Sequence, residues 1–191
     1  MIKHKDDVYE WFKHLDATTR IDVMCSIFYS CSPFEIRFFG TCIENLAKKD
    51  YHALKDTDLQ AVDISSLQDS NINILKVCPQ LRSRLIISLC LLKSRPGNPS
   101  GVNILSDLLS RVDQHLALYQ FDSTFDHRLI EDVRLLLMVA VHHPAFSFNQ
   151  RQEFINQMEN FNRVFSHLFD QPSSKQNCSC QTEETLLPDV R

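Results

Sequence analysis

Hydrophobic residues recur every three to four positions along most of this chain, which is the spacing of amphipathic helices. The clearest case begins at Ser32, which can act as N-cap, with Pro33 at the first helical position and Glu35 placed to complete a capping box. The apolar residues that follow at helical spacing are Phe34, Phe38, Phe39, Cys42, Ile43, Leu46 and Ala47. This pattern predicts a core helix with one buried face, ending near Lys48 and Lys49.

The same criteria predict helices on both sides of this segment. A first helix is capped by Asp6, and a second one starts at Thr18 or Thr19 and turns residues such as Phe28 and Tyr29 inward. A second capping box, formed by Ser147 and Gln150, starts the final helix. The predicted helices cover residues 7–15, a segment from 18 or 19 to about 29, and residues 33–49, 57–62, 81–93, 102–119, 127–142 and 148–168.

Two of these segments, residues 81–93 and 127–142, are apolar nearly all round and belong at the centre of a bundle. The sequence turns polar at residue 170, which predicts a disordered tail over residues 170–191. We therefore expect an all-α domain over residues 6–169, a compact bundle of seven or eight helices that could include HEAT-like stacking of helix pairs.

Composition supports this fold and narrows the function. Only three glycines occur in 191 residues, fewer than a sheet protein with many tight turns needs. A net charge of −4 argues against a broad electrostatic grip on nucleic acid. An odd count of seven cysteines, with neither a secretory signal nor an apolar run of membrane-spanning length, predicts a soluble cytoplasmic protein.

No segment carries a recognisable catalytic or cofactor motif. The glycine pair Gly97 and Gly101 lacks the lysine and hydroxyl residue of a phosphate-binding loop. His142 and His143 are adjacent, so their side chains diverge on a helix, and capping explains them better than zinc binding. Cysteines on apolar faces are typical of inert buried thiols. The sequence thus predicts a protein that is not an enzyme and that uses no cofactor, metal or small-molecule substrate.

Basic and aromatic residues could nevertheless form a contact surface for a protein or for single-stranded RNA. One group stands at the end of the third predicted helix and the other at the start of the helix over residues 81–93. The candidate residues are Lys48, Lys49, Tyr51, His52, Arg82 and Arg84. Helix-end cations beside a packing tyrosine are the alternative interpretation, and we favour it.

The predicted tail contains one short motif. Cys180, Gln181 and Thr182 resemble the centre of peptides that add a strand to dynein light chain, although such peptides usually have threonine before the glutamine. Short motifs of this kind also occur by chance, so this one is a minor candidate for a partner contact.

Residues 36–52 (IRFFGTCIENLAKKDYH) resemble the N-terminal region of the zinc finger CCHC domain-containing proteins that also carry a SAM domain. Residues 8–12 (VYEWF), 82–89 (RSRLIISL) and 143–148 (HPAFSF) agree with that family in the same order. A more distant likeness is to the N-terminal region of Smaug-type translational repressors. The resemblance implies post-transcriptional control of RNA, with RNA read by the SAM domain or the CCHC knuckle and the helical region engaging protein partners or self-associating.

This chain departs from the family because it has no Cys-x₂-Cys-x₄-His-x₄-Cys knuckle and no room for a SAM domain after Asp170. We therefore expect a fragment or a short relative. Our main hypothesis is a non-enzymatic protein-interaction module of an RNA-regulatory protein, with no membrane contact. The alternative is direct RNA binding through the basic and aromatic residues.

Overall fold

A computed structural model describes residues 4–61, 79–92, 99–112 and 126–169. In these ranges the chain forms helices and no strand, which confirms the predicted all-α class. The seven helices are α1 (Lys5–Lys13), α2 (Ala17–Ser30), α3 (Pro33–Ala61), α4 (Pro79–Cys90), α5 (Pro99–Ser110), α6 (His127–His142) and α7 (Phe148–Phe169). The predicted tail over residues 170–191 lies outside the described residues.

Helix α6 is at the centre of the bundle. It packs against α7, α4 and α2, while α3 packs against α4 and α5 packs against α7. The sequence prediction that residues 127–142 form a central helix is confirmed, since this helix buries six residues along its length. Aromatic residues of α7 complete the core: Phe154, Phe161 and Phe165 are almost inaccessible to solvent. No helix in the described part of the chain is long and apolar enough to span a bilayer.

Both predicted capping boxes are present. The Ser32 amide donates to Glu35 Oε2 at 2.6 Å, and the Glu35 amide donates to Ser32 Oγ at 3.5 Å. At the start of α7, the Ser147 amide donates to Gln150 Oε1 at 2.9 Å, and the Gln150 amide donates to Ser147 Oγ at 3.3 Å. These reciprocal bonds satisfy amides that have no partner within the first turn of a helix.

The boundaries of the first three helices differ from those predicted. Helix α1 begins at Lys5 after His4, whose side chain makes no capping bond, so the predicted Asp6 cap is wrong. Asp16 caps α2 by accepting from the Thr19 amide. Helix α3 does not end near Lys49 but continues to Ala61, because no proline or glycine follows Gly40 before that point. Residues 57–61 of the separate short helix predicted over residues 57–62 thus belong to α3.

Burial is divided unevenly between the two halves of the chain. Among the side chains that the structure describes, every buried hydrophobic residue lies at or beyond Leu85, in α4 to α7 and the turns that adjoin them. Among residues 4–49, by contrast, Thr18 is the one side chain that is buried. The prediction of a buried apolar face on the helix over residues 32–49 is therefore wrong, because its apolar residues are exposed and only Cys42 is half-buried. This part of the chain is helical without a hydrophobic core of its own.

Candidate protein-docking face of the N-terminal helices

Large apolar side chains are exposed on all three N-terminal helices. Phe34, at the start of α3, is 87% exposed, and Phe38, one turn later, is 65% exposed. We call the exposed apolar residues of α3 the α3 face. It consists of Phe34, Ile36, Phe38, Phe39, Ile43 and Leu46. Further exposed apolar residues are Val8, Tyr9 and Trp11 on α1, and Ile27 and Tyr29 on α2.

The α3 face is wide because its residues do not follow one narrow stripe. At 100° per residue, the positions from Phe34 round to Ile36 spread over about 200° of the helix circumference. Phe39 lies within this arc and contacts α2, where the Phe28 and Phe39 rings lie 6.1 Å apart. Phe39 in turn lies 6.0 Å from Phe38. Phe34 and Phe38 remain the two most exposed residues of the arc in spite of this contact.

The size of the α3 face is that of an interaction surface. With about 200 Å² for a whole aromatic side chain and somewhat less for an aliphatic one, its six residues present roughly 600 Å² of apolar surface. The largest apolar patch of a typical monomer covers about 300–600 Å². A single helix of this protein reaches the upper end of that range before α1 and α2 are counted.

Charged residues border the α3 face. Arg37, Lys48 and Lys49 are exposed, and Lys48 Nζ lies 3.2 Å from Glu44 Oε1 on the polar side of the helix. The hydrogen bond from the Ser32 amide, together with that from its side chain, lowers the pKa of Glu35, so this carboxylate is charged at neutral pH. An apolar centre with a charged rim is the usual anatomy of a protein interface.

The structure separates the predicted contact residues. Lys48 and Lys49 are exposed on α3, whereas the side chains of Tyr51 and His52 lie outside the described residues although α3 runs through both positions. Arg84 is half-buried on α4. The tail candidates Cys180, Gln181 and Thr182 also lie outside the described residues.

Arg82 is not available to a partner, because its side chain is only 1% exposed. Its Nε donates to Asp132 Oδ2 at 2.7 Å, and its Nη2 donates to Asp126 Oδ2 at 3.4 Å. Asp126 also caps α6 by accepting from the Arg128 amide at 3.1 Å. Arg82 thus joins α4 to the start of α6, and the prediction of a surface contact at this position is corrected to a structural ion pair.

The N-terminal helices are anchored to the core through α2. Asp16 Oδ2 lies 3.6 Å from Arg134 Nη1, and Asp22 Oδ1 lies 3.0 Å from His142 Nε2, so both contacts join α2 to α6. Burial alone would raise the pKa of Asp16, but hydrogen bonds from Thr19 and the charge of Arg134 outweigh it and lower this pKa. These two contacts fix α2, and α3 continues from it after a break of two residues.

The histidines and cysteines that the sequence offers as candidates for chemistry can be placed in the described ranges. His142 faces Asp22, and His143 Nδ1 accepts a hydrogen bond from the Ala145 amide at 3.1 Å. No group of three His, Cys, Asp or Glu side chains in the described ranges could hold a metal ion. Burial and the neighbouring Asp22 raise the pKa of the Cys25 thiol, which disfavours the nucleophilic thiolate.

One cavity lies between α4, α5 and α6. Its volume is about 10 Å³, and its walls are apolar, formed by six leucines and one valine. A space of this size holds at most one water molecule, and an apolar one remains dry. It is a packing defect of the core rather than a ligand site.

The α3 face was the feature that sequence reasoning missed. The sequence does carry a signal for it. Apolar residues cover more than half of the circumference of this helix, and one neighbouring helix cannot bury so wide a surface. The sequence predicts the contact at the charged end of this helix, whereas the exposed apolar residues precede that end along α3.

Comparison with known protein families gives two matches along the chain. A family model described as the RNA-binding protein vts1-like domain matches residues 5–49. A second model, described as the SMAUG-like PHAT domain, matches residues 54–166. The first match contains α1, α2 and the whole α3 face, and the second contains the buried core of α4 to α7. Helix α3 runs from one match into the other.

Proposed function

Since the chain belongs to the SMAUG-like PHAT domain family and also matches the Vts1-like domain, we propose that it is a non-enzymatic protein-interaction module. The two matches identify an RNA-regulatory protein, and they confirm the resemblance to Smaug-type repressors. Our proposal adds that the helical region serves that role by binding protein, with the α3 face as the docking site. A cytoplasmic location remains a prediction.

The exposure of the α3 face is the observation that carries this proposal. Phe34 and Phe38 would each be expected in a core, and water around them is unfavourable. They stand on a helix whose start is fixed by the Ser32 capping box and whose neighbour α2 is anchored on α6. An apolar surface held in place on a folded support is pre-organised for binding, which lowers the entropic cost of association.

We assign a second copy of this chain as the occupant. The α3 face is apolar at its centre, so it does not select for a strongly charged partner such as nucleic acid. Two copies related by a two-fold axis would cover both faces at once. Roughly 600 Å² on each copy, about 1,200 Å² in total, would reach the lower end of the size range of specific protein–protein interfaces.

Light scattering coupled to size-exclusion chromatography tests this assignment. We expect the full chain to be dimeric at micromolar concentrations and the Phe34→Asp, Phe38→Asp double variant to be monomeric. Glu159→Lys on the exposed side of α7 is the matched control and should leave the dimer intact. A wild-type chain that stays monomeric at hundreds of micromolar would refute self-association.

Direct RNA binding is the second candidate function, and the exposure of Lys48 and Lys49 is the observation in its favour. Filter binding to structured and unstructured RNA at several salt concentrations distinguishes the two proposals. Under our main proposal we expect no salt-sensitive binding below micromolar concentrations. Submicromolar binding that is lost in a Lys48→Glu, Lys49→Glu variant would favour RNA instead.

A further inference from the structure

Ser32 is the one serine or threonine of the sequence that directly precedes a proline. It lies in the break of two residues between the end of α2 at Ser30 and the start of α3 at Pro33. The other residue of this break, Cys31, has an extended backbone with φ −79° and ψ 150°. The ring of a proline also disfavours helical conformation in the residue before it. The Ser32 hydroxyl is therefore presented on a short non-helical segment.

The surroundings of Ser32 leave it open to an enzyme. Ser32, Pro33, Phe34 and Glu35 are all exposed. Among the described side chains of residues 4–49, Thr18 is the one that is buried, so contact with an enzyme at Ser32 does not require the hydrophobic core to open. An accessible, extended serine followed by proline is the substrate pattern of proline-directed protein kinases.

We propose that Ser32 is a phosphorylation site for a proline-directed serine/threonine kinase and that its phosphorylation weakens docking on the α3 face. Magnesium ATP is the second substrate. A bond forms between Ser32 Oγ and the γ-phosphorus, the bond from that phosphorus to the β,γ-bridging oxygen breaks, ADP leaves, and the hydroxyl proton passes to the catalytic base of the kinase. The effect on docking rests on the proposed function, whereas the modification itself does not.

Helix α3 retains its start when Ser32 is phosphorylated. In the unmodified chain the Glu35 amide donates to Ser32 Oγ at 3.5 Å. A phosphoserine carries a charge of about −1.5 to −2, and its oxygens accept hydrogen bonds from amides of the first turn at the positive end of the helix dipole. The carboxylate of Glu35 accepts from the Ser32 amide at 2.6 Å, so it lies close to the phosphate and is repelled by it. The phosphate replaces one half of the capping box.

The same phosphate opposes docking because of its position beside the α3 face. Phe34, which is 87% exposed, is only two positions after Ser32, and Phe38 follows one turn later. A partner that covers Phe34 must also remove water from the phosphate, which is costly for a charged group without a paired cation. In a two-fold dimer both chains carry the phosphate, so this cost occurs twice.

The first experiment treats the full chain with magnesium ATP and an active mitogen-activated protein kinase, and locates the phosphate by mass spectrometry. Two variants are matched controls. Pro33→Ala keeps the Ser32 hydroxyl and removes the proline that the kinase requires, and Ser32→Asn keeps a good N-cap and removes the acceptor oxygen. We expect phosphate on Ser32 of the wild type, none at this position in either variant, and an unchanged helix content by circular dichroism.

The second experiment measures dimerisation by light scattering, and each chain is compared with itself after treatment with and without ATP. For the wild type we expect phosphorylation to raise the dimer dissociation constant by at least about tenfold, because a charged group must be desolvated. A phosphatase should reverse this change. The Ser32→Asn chain should give the same dissociation constant with and without ATP.

The outcomes separate the site from its role. Absence of phosphate on Ser32, while a Ser-Pro peptide in the same reaction is phosphorylated, would overturn the site. A phosphorylated Ser32 with an unchanged dissociation constant would overturn its effect on docking and leave the proposed function standing. A wild-type chain that is monomeric before treatment would refute the proposed function, and mass spectrometry would still decide whether Ser32 is modified.

Discussion

Arg82 Nε donates to Asp132 Oδ2 at 2.7 Å, and this bond holds the beginning of α4 against the central helix α6. Arg82 is almost fully buried, whereas the Asp132 side chain is about one-third exposed. A buried guanidinium requires nearby carboxylates, since removal of its charge from water is expensive. The pair therefore makes Asp132 more important to the fold than an ordinary surface aspartate.

We expect Asp132→Ala to lower the free energy of unfolding by about 3 kcal/mol, because it removes from a buried cation the shorter of its two carboxylate contacts described here. Asp126→Ala should cost less, about 1–2 kcal/mol, mostly through loss of the α6 cap. Urea titration followed by circular dichroism measures both. Equal losses in the two variants would contradict the dominant role assigned to the 2.7 Å bond.

Much of the fold could be predicted from local patterns. Helix α6 has the predicted bounds, residues 127–142, and the capping boxes at Ser32 and Ser147 are formed as expected. These features depend on residues within one or two turns of each other, so their physics is complete in the local sequence. The predicted end of α3 near Lys49 failed because basic residues favour a helix end without enforcing one.

The placement of side chains between distant elements could not be predicted in the same way. Arg82 is buried because Asp126 and Asp132, more than forty positions later in the sequence, meet it in the fold. Nothing near Arg82 in the sequence indicates this pairing. Likewise, the helical spacing of Phe34 and Phe38 shows that an apolar face exists, but not whether the same chain covers it.

The charge of Asp16 should make the stability of the protein depend on pH. The pKa of this group is lowered in the folded state. Its charge therefore contributes to the free energy of unfolding above the ordinary aspartate pKa of about 3.9, and this contribution is lost as pH falls through the lower folded pKa. Asp16→Asn keeps a good capping residue and removes the charge.

We expect the free energy of unfolding of the wild type to exceed that of the Asp16→Asn variant by less than about 1 kcal/mol at pH 7, since the pair with Arg134 is partly solvated. The difference should decrease steadily below pH 4. Parallel urea titrations at pH 7, 5 and 3 measure it, and a difference that persists unchanged at pH 3 would show that the charge is not its cause.

The Ser147 cap should contribute measurably to stability, because α7 supplies Phe154, Phe161 and Phe165 to the core. Ser147→Ala removes the oxygen that accepts from the Gln150 amide and should cost about 1 kcal/mol. Ser166→Ala, an exposed serine in the last turns of the same helix, is the matched control and should be neutral or slightly stabilising. Similar losses at both positions would argue against a specific capping effect.

Gly40 offers a stabilising substitution in the middle of the first half of α3. A methyl group added there would meet no atom within 4 Å apart from its chain neighbours and the backbone of its own helix, and the position is exposed and helical. Gly40→Ala should therefore raise the free energy of unfolding by about 0.5–1 kcal/mol, since alanine loses less backbone entropy than glycine on forming a helix.

The cleanest measurement of the Gly40→Ala effect is in the monomeric Phe34→Asp, Phe38→Asp background, where assembly does not contribute to stability. If Gly40→Ala raises the stability of this monomeric background but weakens the dimer when it is the sole substitution, a partner approaches the α3 backbone closely at Gly40. A loss of stability in the monomeric background would contradict the helical, unobstructed environment at this residue.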